Sequence, residues 1–251
     1  MTRNELVVEG VSVTFPGGMQ ALRNVDLRVG AGEIVGLVGE SGSGKSTLGR
    51  VVVGLQQSYS GLLQFGGQTI HPRRTRGQRC AIQMVFQDPY ASLDPRMTVW
   101  QLLQELMIVH GIGNGRDERR QRCEDLLRRV HLPLTMLDNR PAGMSGGQRQ
   151  RVAIARALAI NPQFLVADEA TAALDVSVQA GIINLFADLR AVMGLSQLFI
   201  SHNLAVVRSL CDRVAVIYRG EIVEIASTEA IFEAPQHDYT RQLLAAAPDL
   251  P

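Results

Sequence analysis

At 251 residues the chain can bury one large core, or a core plus a subdomain. Its 25 basic and 24 acidic side chains nearly cancel, which argues against a nucleic-acid partner and against a polybasic membrane anchor. Cys80, Cys123 and Cys211 are odd in number and widely spaced, without a C-x-x-C pair. Reduced thiols in a cytosolic chain are therefore expected, not a disulfide framework or a zinc site.

Met1 to Glu5 lead into no signal-like segment, and no apolar run approaches the ~20 residues that span a bilayer. If the protein serves a membrane, it is expected to do so from the side. Leu6-Val7-Val8, Val11 to Phe15 and Val25 to Val29 read as strands, punctuated by Pro16-Gly17-Gly18 and Gly30-Ala31-Gly32. This predicts a small antiparallel sheet leading into a buried strand over Glu33–Val38.

Gly39-Glu40-Ser41-Gly42-Ser43-Gly44-Lys45-Ser46 comes next and fits the pattern glycine, four residues, Gly-Lys-Ser. Ser46 to Leu55 reads as a helix with Leu48, Val51, Val52 and Leu55 on one side. A strand feeding a helix through glycines converges several free backbone N–H groups on the positive helix end, a spot that favours phosphate. Glycine serves where φ is positive or a side chain would collide with the ligand. Lys45 is expected to reach the β- and γ-phosphates and Ser46 to ligate Mg²⁺.

Residues 73–79 are basic and polar and are expected to form a solvated connection. From about Asp88 to Ile160 the texture is helical. Val99, Leu102, Leu103, Leu106 and Met107 form one apolar face and Cys123, Leu126, Leu127 and Val130 another, separated by Gly111 to Gly115. Ser145 reads as an N-cap before Gly146-Gly147 and a helix over Gln148 to Ile160, a second bare helix end for an anion. Phe164-Leu165-Val166-Ala167 and Leu198-Phe199-Ile200 are wholly apolar, as parallel strands buried on both faces are, with a helix over Val178–Val192 between them. Asp168-Glu169 ends the first of these strands. Val214–Tyr218 and Glu221–Ala226 flank Arg219-Gly220 as a hairpin. The helical block thus reads as an insertion between two halves of one α/β nucleotide-binding core.

The phosphate loop, Ser145-Gly146-Gly147-Gln148 and Asp168-Glu169 together resemble the ATP-binding-cassette (ABC) ATPases over nearly the whole chain. The fold this implies is an α/β phosphate-loop NTPase core, a mainly parallel sheet with an N-terminal antiparallel β subdomain, plus an inserted α-helical subdomain. Residues 1–87 and 161–228 would form the core, 88–160 the helical part and 229–251 a tail. By the same resemblance Gly39 to Thr47 bind ATP, and Ser46, Gln87 and Asp168 hold Mg²⁺. Gln87 would also sense the γ-phosphate, Glu169 polarise the attacking water and His202 act as the switch histidine. Phe15 would stack on adenine, although the family more often has Tyr there, and core packing is the plainer role. Ser145, Gly146, Gly147 and Gln148 would bind the ATP of a partner subunit, with Asp175 in the D-loop Ala173-Leu174-Asp175. Ala170 stands where the family usually has Pro, Ala172 where it often has Ser, and Met144 replaces the usual Leu.

Phe86 to Met97 and the tail Pro235 to Pro248 resemble peptide and nickel importers. That branch implies a motor subunit at the cytoplasmic face of the inner membrane. Its partners would be two transmembrane permeases, a second ATPase and, indirectly, a solute-binding protein. By the same resemblance two non-identical ATPases commonly pair, one often with a longer, cysteine-bearing C-terminal extension. This chain, which stops at Pro251 with no cysteine in residues 212–251, looks like the shorter member, so the second ATPase is expected to be a different chain. A soluble ABC protein of DNA repair or the ribosome, and a small-molecule kinase, are the rival readings. The first lacks its usual insertions here, and the second must exclude an activated water.

Overall fold

The computed structural model describes residues 4–172 and 174–246. The N-terminal hairpin pairs β1 (Leu6–Thr14) with β2 (Gln20–Val29), Leu6 opposite Val29. β3 (Ile34–Val38) is buried at every position, as an apolar run covered on both faces should be. It feeds α1 (Lys45–Val53), which Gly54 ends in a left-handed conformation, φ 87°. Leu55, expected on the apolar side of this helix, lies beyond that cap and is 60% exposed. β4 (Ser60–Phe65) and the short β5 (Gln68–Thr69) complete an antiparallel sheet in the order β2-β1-β4-β5.

The expected solvated connection at residues 73–79 runs instead into α2 (Arg76–Ala81). Thr75 and Gln78 form a capping box there: Thr75 Oγ1 accepts from Gln78 N at 3.2 Å, and Gln78 Oε1 accepts from Thr75 N at 3.0 Å. Arg74 is not solvated either. It is buried and donates to Val51 O at 2.7 Å, satisfying a carbonyl at the end of α1.

β6 (Ile82–Val85) leads into α3 (Val99–Val109), α4 (Arg116–Arg129) and α5 (Gly146–Leu158). The apolar residues predicted to share faces on α3 and α4 are buried, except Leu106, which packs partly against them. Then follow β7 (Phe164–Asp168), α6 (Val176–Met193), β8 (Ser196–Ile200) and α7 (Leu204–Leu210). The hairpin β9 (Arg213–Tyr218) and β10 (Glu221–Ser227) precedes α8 (Thr228–Glu233) and α9 (Asp238–Ala245).

The larger sheet has the order β10-β9-β3-β8-β7-β6 and is parallel except for β10 against β9. Alternate residues of its strands serve two cores. Phe164 and Val166 join Leu48, Val51 and Val52 of α1 and the antiparallel sheet. Leu165 and Ala167 join α3 to α7 on the other face. Each fully buried valine, leucine or phenylalanine among them contributes about 1.5–3 kcal/mol. α1 is thereby clamped between the two sheets, with its first turn at the carboxyl end of the parallel strands.

Candidate functional site

Register brings three segments level at one edge of the sheet. Ile200 at the end of β8 lies opposite Leu37 of β3 on one side and Asp168 of β7 on the other. Gly39, Asp168-Glu169 and Ser201-His202 therefore emerge together, at the end of a parallel sheet where ligands bind.

The loop between β3 and α1 is held from beneath. A Cβ on Gly39 would lie 2.2 Å from Ile217 O, and one on Gly44 (φ 109°) 2.6 Å from Ala21 O, so backbone passes where any side chain would go. Ser43 O accepts from Gly220 N at 3.0 Å, and Glu40 N donates to the Tyr239 hydroxyl at 3.0 Å. Gly44 caps α1 with no side-chain acceptor, which leaves the helix end to an outside anion. The buried Ser43 Oγ has no partner among the described residues.

Lys45 is only 5% exposed, and its Nζ donates to Gly39 O and Glu40 O, both at 2.7 Å. Burial draws its pKa down, while Glu169, Asp168 and Glu40 push it back up. Two of its three ammonium protons are thus held by the loop, and one is left to point elsewhere. Ser46 Oγ donates to Asp168 Oδ1 at 2.9 Å, a contact spanning 122 positions. Burial, helped by Glu169, raises the Asp168 carboxyl above its ordinary range, and the Ser46 hydrogen bond opposes this.

Glu169 adopts a left-handed backbone, φ 49°, which a non-glycine residue keeps only when its surroundings enforce it. Its N–H donates to Ile200 O at 2.9 Å, tying the kink to β8. Beyond the kink Glu169 Oε1 lies 3.4 Å from His202 Nδ1. His202 sits just before α7, where Asn203 caps by accepting from Ala205 N and Val206 N.

Not every expected residue joins this cluster. Gln87 is exposed, two positions past the pair Val85–Ala167, at the same end of the sheet as Asp168. Phe15 lies one residue past β1 in the hairpin turn, partly buried against the antiparallel core. Ser145 is exposed at the start of α5, where it forms a capping box with Gln148. A Cβ on Gly146 would lie 3.4 Å from Leu174 Cδ2, and one on Gly147 2.4 Å from Val178 Cγ1. Asp175 is the exposed N-cap of α6, and Ala173 of the D-loop falls outside the described residues, as do Ala247 and Pro248 of the tail.

Two residues were overlooked in the sequence. Gln179 donates to Thr171 O at 3.0 Å and Leu174 O at 3.1 Å, bracing the turn after Glu169. Tyr239 reaches the phosphate loop from the tail. Neither has a local signal beyond being a polar or aromatic group on a helix.

Residues 22–172 match the family model described as ABC transporter. A putative peptide import ATP-binding protein of Brucella ovis is 50% identical over 233 residues, 92% of this chain and 73% of that one. The glutathione import ATP-binding protein GsiA of Salmonella choleraesuis is also 50% identical over 233 residues, and there the match spans 37% of the relative. Among solved structures, cbiO1 of Clostridium perfringens, part of the ABC transporter complex cbiONQ, has a TM-score of 0.83 at 28% identity, covering 92% of each chain. A dimeric post-hydrolysis state of the ATP-binding cassette MJ0796, bound to ADP and Pi, has a TM-score of 0.79 at 30% identity, covering 89% of this chain and 98% of that one. With the loop, the strand-end carboxylates and the matching fold already in place, these similarities establish that the chain belongs to the ABC transporter family, as an ATP-binding subunit.

Proposed function

We propose that this chain hydrolyses MgATP to drive uptake of a small peptide or a metal complex such as one of nickel. The observation that carries the site reading is the joining of Ser46 to Asp168 at 2.9 Å beside Glu169 and His202 at 3.4 Å. The names of the two relatives, one for peptide import and one for the tripeptide glutathione, support a peptide as the cargo class.

The donor set suits the nucleotide and its metal. Ser46 and Asp168 offer hard oxygen ligands, with Gln87 on the same edge, and Mg²⁺ when bound supplies charge neutralisation at the β- and γ-phosphates. In this reading Gly39 to Thr47 cradle the triphosphate, and the free proton of Lys45 completes the grip. Glu169 takes a proton from the attacking water, and His202, paired with it, keeps water and γ-phosphate in line. Phe15 offers its ring to the adenine. Residues 1–87 and 161–228 form the nucleotide-binding core, 88–160 the helical arm and 229–251 the tail.

Ser145 to Gln148 serve the ATP of a second cassette bound head to tail, with Asp175 at the same interface. In the importer branch two non-identical cassettes commonly pair, so the physiological partner is expected to be a different chain, with self-pairing when this chain is concentrated. A cavity of about 220 Å³ beside the Gln87 segment, lined by Arg79, Gln83, Phe86, Ser92 and Arg156, offers a seat for a permease at the membrane's cytoplasmic face. No helix among the described residues is long and apolar enough to cross a membrane. Phosphate release by the purified chain with its neighbouring cassette, and its loss in Glu169→Gln with ATP binding intact, is the test. ATP binding without turnover in the wild-type assembly would refute the motor assignment.

A further inference from the structure

The tail enters the reading above only as a mark of the branch, yet α9 touches the phosphate loop. Glu224 of β10 holds the turn before this helix, accepting from Gln236 N at 2.8 Å and His237 N at 3.0 Å. His237 caps the helix, its Nδ1 accepting from Tyr239 N at 3.1 Å. These contacts turn Tyr239 inward, where it is 5% exposed. Its ring stacks on Tyr218, with centroids 4.1 Å apart and planes at 30°, and its hydroxyl accepts from Glu40 N at 3.0 Å. Burial raises the phenol's pKa, so the group that accepts from Glu40 N is the neutral hydroxyl.

Glu40 is therefore gripped on both sides. Its N–H is held by the tail, and its carbonyl receives Lys45 Nζ at 2.7 Å and Ser43 N at 3.2 Å. Lys45 takes its direction from the carbonyls of Gly39 and Glu40, so whatever fixes this segment fixes the ammonium. The hairpin that carries Tyr218 also supports the loop, through Gly220 N to Ser43 O.

We propose that Tyr239 is a positioning residue for nucleotide binding, acting through Glu40 N–H on the segment that aims Lys45, so that the tail helix is a strut of the phosphate loop. This rests on residues 39–47 being the nucleotide site. Without the phenol the Glu40 N–H loses its partner and the segment gains freedom, which ATP must then remove on binding. Phenylalanine at 239 keeps the ring stacking and the burial, and deletes only the hydrogen bond.

The test is Tyr239→Phe in the full chain, read by melting temperature, by titration with a fluorescent N-methylanthraniloyl ATP, by hydrogen exchange at residue 40 and by steady-state hydrolysis. Melting should fall by no more than about 2–4 °C. ATP affinity should weaken roughly threefold to tenfold, the worth of one hydrogen bond, with exchange at Glu40 accelerated. KM should rise with kcat retained, because the lost interaction serves ground and transition states alike. Unchanged affinity and exchange, or a fall in kcat at constant KM, overturns the proposal. Should Tyr239→Phe fail to fold, Glu224→Gln loosens the same turn and must raise KM in the same direction, and an unmoved KM there overturns it equally. A wild-type chain that binds no ATP indicts the site reading itself. A wild type whose binding is lost in Lys45→Ala but unchanged in Tyr239→Phe indicts the strut alone.

Discussion

Replacing Lys45 by alanine probes the phosphate loop at its most exposed assumption. The ammonium is buried, so it already bears a desolvation cost, offset by two carbonyls at 2.7 Å and by the nearby carboxylates. Removing it relieves that cost but leaves Gly39 O short of a donor, whereas Glu40 O keeps Ser43 N at 3.2 Å. An unsatisfied buried carbonyl costs about 1–3 kcal/mol, so the fold should survive with a lowered melting temperature. Nucleotide binding weakens as well. The one ammonium proton not held by the loop makes a charge-assisted contact to the phosphates worth about 1.5–3 kcal/mol, which predicts a loss of roughly 10- to 100-fold in ATP affinity. Titration with N-methylanthraniloyl ATP, alongside thermal melting of the nucleotide-free chain, separates the two effects. An affinity within about threefold of wild type in a folded variant would refute the assignment of this loop.

Glu169→Gln should keep ATP binding and lower turnover by ~10² or more, since the amide holds the shape beside His202 but accepts no proton; wild-type phosphate release would reduce Glu169 to a strand-end carboxylate. His202→Ala should likewise spare binding and cripple hydrolysis, because its contact matters most as charge moves in the transition state, and a normal rate in the assembled transporter would remove the switch role. Gly147→Asp should disable the site of the partner subunit by charge and also by bulk, given Val178 Cγ1 at 2.4 Å from the new Cβ. Gly147→Ala isolates the bulk: if it alone abolishes hydrolysis, the packing of α5 on α6 and not the carboxylate explains the loss.

What the sequence revealed and what it hid divide along the range of the forces involved. The phosphate loop is legible because local backbone geometry demands its glycines, and the parallel strands because burial on both faces demands uninterrupted apolar runs. The cap at Ser145 announces itself through Gln148 three residues later. β4 was hidden because its Gly61 looks like a breaker, whereas the glycine admits the backbone of β1: a Cβ there would lie 2.5 Å from Gly10 O. The Thr75–Gln78 box was readable, but the arginines around it drew attention to solvation. Two of those arginines serve the fold, Arg74 on Val51 O and Arg76 on Val109 O at 2.6 Å. The roles of Gln179 and Tyr239 depend on partners brought near only by tertiary structure, Glu40 being 199 positions from Tyr239.

The claim on which the rest depends is that each catalytic site is shared between two cassettes. It is tested most directly by mixing Lys45→Ala with Gly147→Asp, at a concentration where the wild-type chain hydrolyses ATP. Each variant alone should be inactive. In a mixed head-to-tail pair, the intact phosphate loop of the Gly147→Asp chain faces the intact Ser145–Gln148 stretch of the Lys45→Ala chain, restoring one site. Random pairing then predicts roughly a quarter of the wild-type rate. A mixture no more active than its components, or a wild-type specific activity that stays flat on dilution to the monomer, would contradict the shared site.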